Sequence, residues 1–512
     1  MAARPCPKAW RRCSPPPVPG PAAAHRPWRP SHPHPHGAPM PPTLDPASAD
    51  AEHDVSKYGY VQELDRSMNV WQLTAFGLNY MVPIAPAIIF GILLKLSGGT
   101  VALPYLLAGV AMLFTAFSYA VMVRNFPLAG SVYNYVGRGC NPYFGFLSGW
   151  VLTLDYILIP TVTASSSAYF AQQYLPGVPY WVLLGVFSVG TGMVNLFGVQ
   201  LMSRLGLGLL VFGELVVWSS IVVWGRAVAV DGAGVGTLLS TQPFQFDSVS
   251  SLAAATSLAI FSFLGFDAIT TLAEETRRPK RDIPRAIYWC VGIGTLTMFA
   301  CGYVAMLAIP DWRQHIGDEA WLNTTLFQVS RATGGEAFSV FFTVGYLTAL
   351  GVFNVVATAA GARLLFGMGR DELLPRAVFA RVNRRWRTPH WSILLICAIE
   401  FALGNFANME TLSNLVNYGA MFAFAALNIS VVWLYYVRGG GELADGSRLR
   451  PRGEQHLRDL LLPAVGLAII LYVWAHMDTL AQILGTVWLA AGIAYLLAKT
   501  RVFQRLPPAL DL

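Results

Sequence analysis

Of 512 residues, 54% are apolar and 12% are Asp, Glu, Lys or Arg, about half the roughly 25% charge content of soluble domains. With a mean hydropathy of +0.49 and repeated apolar runs long enough to cross about 30 Å of hydrocarbon, the chain reads as a polytopic membrane protein, not a soluble enzyme. The net charge of +7 falls in short loops between apolar runs, where it meets anionic lipid without any nucleic-acid motif. Cys6, Cys13, Cys140, Cys290, Cys301 and Cys397 show neither CxxC nor metal-ligand spacing, so no disulfide framework, zinc site or other cofactor is expected.

Residues 1–66 read as a disordered tail. The first 50 positions hold 15 of the 33 prolines, a composition that buries too little surface to offset the entropy of ordering. The tract from Ser31 to His36 alternates His and Pro, which reads as compositional accident ahead of loose metal binding. Without a continuous apolar core the tail is no signal peptide, and Met40 and Met68 stand as alternative starts.

From Trp71 onward about twelve helical spans are predicted, at roughly 71–95, 101–123, 144–171, 179–201, 204–226, 251–275, 285–309, 336–366, 390–405, 411–437, 460–477 and 480–499. One side collects Arg277, Arg278, Lys280 and Arg281, then Arg381, Arg384, Arg385 and Arg387, then Arg448, Arg450 and Arg452. The opposite loops carry only Lys95, Arg226, Arg313 and Arg331. An even number of spans and the positive-inside rule then place both termini in the cytoplasm. Trp71, Trp181, Trp391 and Trp433 near span ends fit interfacial belts.

Two spans are interrupted. The first carries Pro83 and Pro86, each lacking an amide donor in mid-span. The sixth carries Gly265 and Asp267 in the middle of an apolar run. Broken backbone at membrane depth survives only where protein or a wet cavity surrounds it. Each break alone reads as a packing kink. Their matching places in two five-span units, about 70–226 and 251–437, point instead to inverted repeats that build a central site; helices at about 460–499 are additions to a permease domain spanning 67–512.

The stretch from Phe261 to Ala286, with Gly265-Phe266-Asp267-Ala268 and Glu274-Glu275-Thr276-Arg277-Arg278-Pro279, resembles the sixth-helix signature of amino acid-polyamine-organocation permeases. The segments Phe126–Tyr133, Gly149–Tyr156, Arg363–Asp371 and Trp386–Pro389 extend the resemblance over the whole chain after the tail. It is most similar to bacterial proton-coupled putrescine importers, which share Leu-Asp-Tyr in the third span and Gly-Phe-Asp-Ala in the sixth. The resemblance implies an all-α, LeuT-like fold of 5+5 inverted repeats in a bacterial-type plasma membrane, working by alternating access. Two departures shape the expected substrate. Amino-acid carriers of this kind place Gly-(Ser/Ala)-Gly amides at the first break to receive an α-carboxylate, whereas Val82–Pro86 here supplies prolines that donate nothing; an amine without a carboxylate is favoured. Putrescine importers also carry an Asp just beyond, where this chain reads Ala87 to Gly91, so a second amine lacks one expected counter-charge.

A carboxylate near the bilayer centre costs about 2.5–3.5 kcal/mol or more, and is a functional candidate by default. Asp155, Glu214 and Asp267 lie deep in spans three, five and six, whereas Lys95, Arg226 and Arg363 lie where they can snorkel. The acids are therefore expected to be protonated, hydrated or paired with an incoming cation. Asp267 follows the sixth-span break and, from the resemblance, contributes to binding or gating; a helix-cap role is the alternative. Asp155 either meets substrate or bonds backbone near Pro160 or another helix, and Glu214 either couples to transport or pairs with another helix. Glu400 falls in a scaffold span and is set aside. Gly265 belongs to the break itself. Among the aromatics, Tyr80, Phe261 and Phe266 are the candidates to clasp an ammonium group. Glu274 and Glu275 read as solvated ion pairs with the following arginines, with a gate latch as the alternative. A single hydroxyl, Thr358, between Ala357 and Ala362 favours a proton over sodium as coupling ion.

The expected function is secondary active transport of a putrescine-like cationic amine or an amino acid, proton-coupled and inward. The alternative is a neutral or broad amino-acid permease or exchanger. A membrane-embedded enzyme would need a catalytic constellation, and no HExxH, Walker A or GxSxG occurs. A sensor that does not transport would need a signalling domain, and none is evident.

Overall fold

The computed structural model describes residues 66–81, 85–127, 132–197, 200–370, 374–383, 388–439 and 456–500. The expectations for the tail, for Arg384, Arg385, Arg387, Arg448, Arg450 and Arg452, and for Val82 to Ile84 in the first break lie outside these residues.

Twelve helical segments follow in the predicted order. They are α1a (Val70–Met81) with α1b (Pro86–Ser97), α2 (Ala102–Asn125), α3 (Pro142–Gln172), α4 (Tyr180–Phe197), α5 (Gln200–Ala229), α6a (Val249–Ala259) with the 3₁₀ turns α6b (Phe266–Glu275), and α7 (Pro279–Ala308). Then come α8 (Thr325–Arg370), α9 (His390–Phe406), α10 (Met409–Val432), α11 (Leu462–Ala475) and α12 (Thr479–Lys499). Among the described residues ten spans are long and apolar enough to cross a membrane, α1a and α1b form an eleventh bent by 58°, and α9 is a shorter apolar helix.

Local chemistry sets the helix ends. The Asn141 side chain accepts from the amide of Phe144 at 2.8 Å, and Pro142 at the first position of α3 removes an amide that would go unpaired. Ser248 and Ser251 cap each other's amides to open α6a, and Gly98, at φ 75°, closes α1b in the left-handed conformation. Gly335, at φ 73°, breaks α8 just before residue 336, where the apolar run of the eighth span begins.

The packing carries the repeat. The pairs α2–α7, α3–α8 and α4–α9 each map onto themselves when span n is exchanged with span n+5. Under the same exchange α3–α10 becomes α5–α8, α3–α4 becomes α8–α9, α3–α9 becomes α4–α8, α5–α7 becomes α2–α10, and α1–α7 becomes α2–α6. All of these pairs are in contact, as two inverted five-span units require. The sixth span is the innermost, with 83% of its apolar window buried, against 22% for α12 at the periphery. Trp71, Trp181, Trp391 and Trp433 are exposed, in keeping with an interfacial setting.

Candidate functional site: a closed cavity with two carboxylates

The sixth span cannot run straight through. Helical turns end at Phe263, Leu264 is extended (ψ 134°), and Gly265 takes φ 111° before the 3₁₀ turns of α6b begin. Only glycine adopts that φ readily. A Cβ on Gly265 would also lie 2.6 Å from the carbonyl oxygen of Tyr80, so the end of α1a rests against the break in α6. The last turn of α1a, just ahead of the first interruption, therefore meets the second.

Where they meet, α3 and α8 complete a cavity. It is lined by Tyr80 of α1a, Asp155, Tyr156 and Ile159 of α3, Leu264, Gly265, Asp267 and Ala268 of α6, and Phe353 and Ala357 of α8. Its volume of about 20 Å³ has room for a water, not for an organic amine.

Both carboxyls are part of that lining, and Asp267 is the charged neighbour of Asp155. One oxygen of Asp155 is shut from solvent and has no hydrogen-bond partner. The Asp267 carboxyl faces the amides of Gly265, Asp267 and Ala268 and the hydroxyl of Tyr119 on α2. The amide of Ala268 also donates to the carbonyl of Gly265, at 3.1 Å, and no side-chain hydrogen bond caps the start of α6b. Among the described residues no basic side chain lines the cavity, and Arg363 on α8 is exposed. Tyr80 stands edge-on to Phe353 at 6.3 Å between ring centroids.

The remaining candidates lie elsewhere. Phe266 is fully buried behind Asp267, packed against Tyr119 and Phe424 at 5.6 Å each. Phe261 is buried on the turn before the break and does not line the cavity. Glu214 sits on α5 beside the indole of Trp218, one helical turn on, between the exposed Val211 and Leu215; it too is outside the cavity. Glu275 ties down the segment before α1a through its backbone, its carbonyl accepting from Met68 at 3.0 Å, while the amide of Arg277 donates to the carbonyl of Met68 at 3.1 Å. Tyr156, Ile159, Phe353 and Ala357 line the cavity but were not singled out as site residues. Ile159 is one turn beyond Asp155, and Phe353 and Ala357 are one turn apart on α8, a spacing that identifies a shared face only once the neighbouring helices are known.

Comparison with known proteins agrees with this architecture. Residues 68–498 match the family described as amino acid permease. The chain is 30% identical over 464 residues to the low-affinity putrescine importer PlaP of Escherichia coli, covering 89% of this chain and 98% of that protein. It is 26% identical over 385 residues to the methylthioribose transporter of Bacillus subtilis, covering 73% and 82%. It is 23% identical over 459 residues to the branched-chain amino acid permease BcaP of the same organism, covering 87% and 95%. A twelve-segment helical bundle broken in its first and sixth spans, matched nearly end to end by multi-pass permeases, belongs to the amino acid permease family.

Proposed function

We propose that this permease carries a cationic amine, putrescine-like in having no α-carboxylate, into the cell with a proton. The observation that carries the reading is the pair Asp155 and Asp267 in one closed cavity with no basic lining residue. A buried carboxylate is tolerated when protonated or paired, and an ammonium group and a proton are the two species that neutralise it reversibly. Tyr80 and Tyr156 supply aromatic faces for the methylene chain and the cationic head. The prolines of the first break favour the same cargo, because they offer no amide to a carboxylate. The named cargo of the Escherichia coli relative, putrescine, is of this class.

In this reading the two repeats comprise about 70–226 and 251–437 of a permease domain at 67–512, helices at about 460–499 are additions, and the tail 1–66 stands outside the transport machinery. Both termini are cytoplasmic in a bacterial-type inner membrane. The proton is preferred to sodium as coupling ion, and Glu214 is an accessory to coupling rather than a substrate contact. Asp155 and Asp267 bind, Gly265 holds the break open, Tyr80 caps the cavity, and Phe261 and Phe266 support the wall.

The test is uptake of radiolabelled putrescine, cadaverine, arginine and neutral amino acids into proteoliposomes carrying a pH gradient. Accumulation of the amines that disappears when the gradient is collapsed is expected. Transport of none of them, or transport indifferent to the gradient, overturns the reading. The second reading, a neutral or broad amino-acid permease or exchanger, draws on the name of the Bacillus subtilis branched-chain permease. Competition by amino acids but not by their decarboxylated amines would select it.

A further inference from the structure

Beside the cavity, four scaffold spans close over a carboxyl that the transport site does not use. Glu400, midway along α9, is fully enclosed at 0% exposure. One of its oxygens accepts from the side-chain amide of Asn354 on α8 at 2.9 Å, and the same amide donates to the hydroxyl of Thr191 on α4 at 3.1 Å. The amide oxygen of Asn354 in turn accepts from the hydroxyl of Thr163 on α3 at 3.0 Å. The second carboxyl oxygen of Glu400 is buried without a hydrogen-bond partner, and beside it stands the equally buried, unpartnered hydroxyl of Ser188 on α4.

Among the described residues no cation completes this cluster. On α9 the facing titratable group is Cys397, and His390 sits at the helix start. On the packed helices Asp155 and Tyr156 line the cavity, Arg331 pairs with Glu336, and Arg363 and Arg376 are exposed. The hydroxyls of Tyr174 and Tyr346 bond Ser339 and Ser166, while Tyr180, tilted against Tyr169, donates to the carbonyl of Gly404. An ionised Glu400 would therefore be a buried charge without a counter-ion, which proteins avoid by neutralising the group. A neutral acid fits the donors and acceptors present: one oxygen accepts from Asn354, and the O–H would have the neighbouring Ser188 hydroxyl as its acceptor.

The cluster is wired to the site. The Thr163 hydroxyl also lies within hydrogen-bonding distance of the carbonyls of Ile159 and Pro160, at 3.1 and 3.0 Å, which compete with Asn354 for its one proton, and Ile159 lines the cavity. Asn354 follows Phe353, another lining residue. We propose that Glu400 is an occluded proton-binding site, distinct from any transported proton, which stays a neutral carboxylic acid through the cycle and positions the cavity faces of α3 and α8 through Asn354 and Thr163. Glu400 is a positioning residue in this account, since it does not touch the cavity.

The experiment is difference infrared spectroscopy on the reconstituted full-length chain, wild type against Glu400→Gln, together with uptake kinetics. A protonated-carboxyl C=O band that is present in the wild type and missing in Glu400→Gln is expected, with KM and maximal rate of uptake unchanged within about twofold in the variant. Gln repeats the bonding of the neutral acid, so its retention of transport is the signature of a fixed proton. Absence of the band from the wild type overturns the proposal, as does a folded Glu400→Gln that no longer transports, because Glu400 would then have to ionise. Ser188→Ala, which leaves the acid in place, should shift the band while uptake continues; an unmoved band also counts against the assignment. Because the infrared arm needs no substrate, its outcome is independent of which amine is carried.

Discussion

The carbonyl oxygen of Tyr80 lies 2.6 Å from where a Cβ on Gly265 would stand, which makes the missing side chain of Gly265 the contact surface between the two broken spans. Gly265→Ala meets two penalties. The left-handed φ costs an L-residue about 1–2 kcal/mol, and the added methyl pushes backbone against backbone with no flexible side chain to yield. The variant should reach the membrane and lose uptake by tenfold or more, a change equivalent to about 1.4 kcal/mol per decade. Wild-type rates in a normally expressed Gly265→Ala would show that the breaks do not need to touch.

Asp155 and Asp267 share one cavity, so their effects on cargo should not be independent. On the proposed reading each acid would serve one ammonium of a two-headed amine, and a double-mutant cycle of Asp155→Asn with Asp267→Asn should then show a coupling of about 0.5–3 kcal/mol, the range for residues in one network. A one-headed amine of the same chain length needs only one of them, and its cycle should sum to nearly zero. Steady-state KM values for diamine and monoamine uptake in the four proteins check this. Equal coupling for both amines would place the two acids on a proton, not on the cargo.

Much of this was visible in the chain before folding, and the parts that were not share a cause. Gly265 and Asp267 announced themselves because a flexible residue and an acid are costly in an apolar run, and Asp155 did so for the same reason. Ile159, Phe353 and Ala357 gave no sign, since helices immersed in lipid are apolar on every face and composition no longer marks the inner one. Phe266 misled through adjacency: successive residues of a 3₁₀ helix point about 120° apart, so the neighbour of a cavity-facing Asp267 turns into the core against Tyr119 and Phe424. Glu214 was as conspicuous as Asp155, but its indole neighbour comes from its own helix at Trp218. Glu400, set aside as scaffold, is the fully enclosed acid at the meeting of four helices, a status only tertiary packing reveals.

Pro160 on α3 lacks the amide that would have bonded the carbonyl of Tyr156, and that carbonyl lies 2.7 Å from where a Cβ on Gly361 of α8 would stand. A Cβ on Gly419 of α10 would lie 2.8 Å from the carbonyl of Val151 and 3.6 Å from the amide of Asp155. Gly361→Ala and Gly419→Ala should therefore both press on α3 next to cavity-lining residues, the first at Tyr156 and the second at Asp155. Each is expected to raise KM about tenfold, worth about 1.4 kcal/mol. The measurement is uptake kinetics paired with thermal unfolding in detergent. A loss of stability with KM unchanged in both variants would mean that the seating of α3 does not set the cavity width.

Trp150 of α3 and Trp488 of α12 clasp each other: each indole N–H donates to the other residue's backbone carbonyl, at 3.0 and 3.2 Å, and the rings stack with centroids 4.9 Å apart. Tyr495 extends the stack at 5.5 Å, and Gly492 leaves the space that the Trp150 ring occupies. Neither residue lines the cavity, and the staple joins a peripheral helix to a scaffold helix, so it should govern stability and leave transport alone. Trp488→Ala removes the hydrogen bond from its indole N–H to the Trp150 carbonyl, worth about 0.5–1.5 kcal/mol, and a stacking contact worth about 0.5–1.5 kcal/mol. Trp488→Phe keeps the ring and loses only the indole donor, so it should fall between the two. The expected result is a melting temperature that drops in the order wild type, Phe, Ala, with KM unchanged throughout. A change in KM without a change in melting temperature would instead make α12 part of the transport cycle.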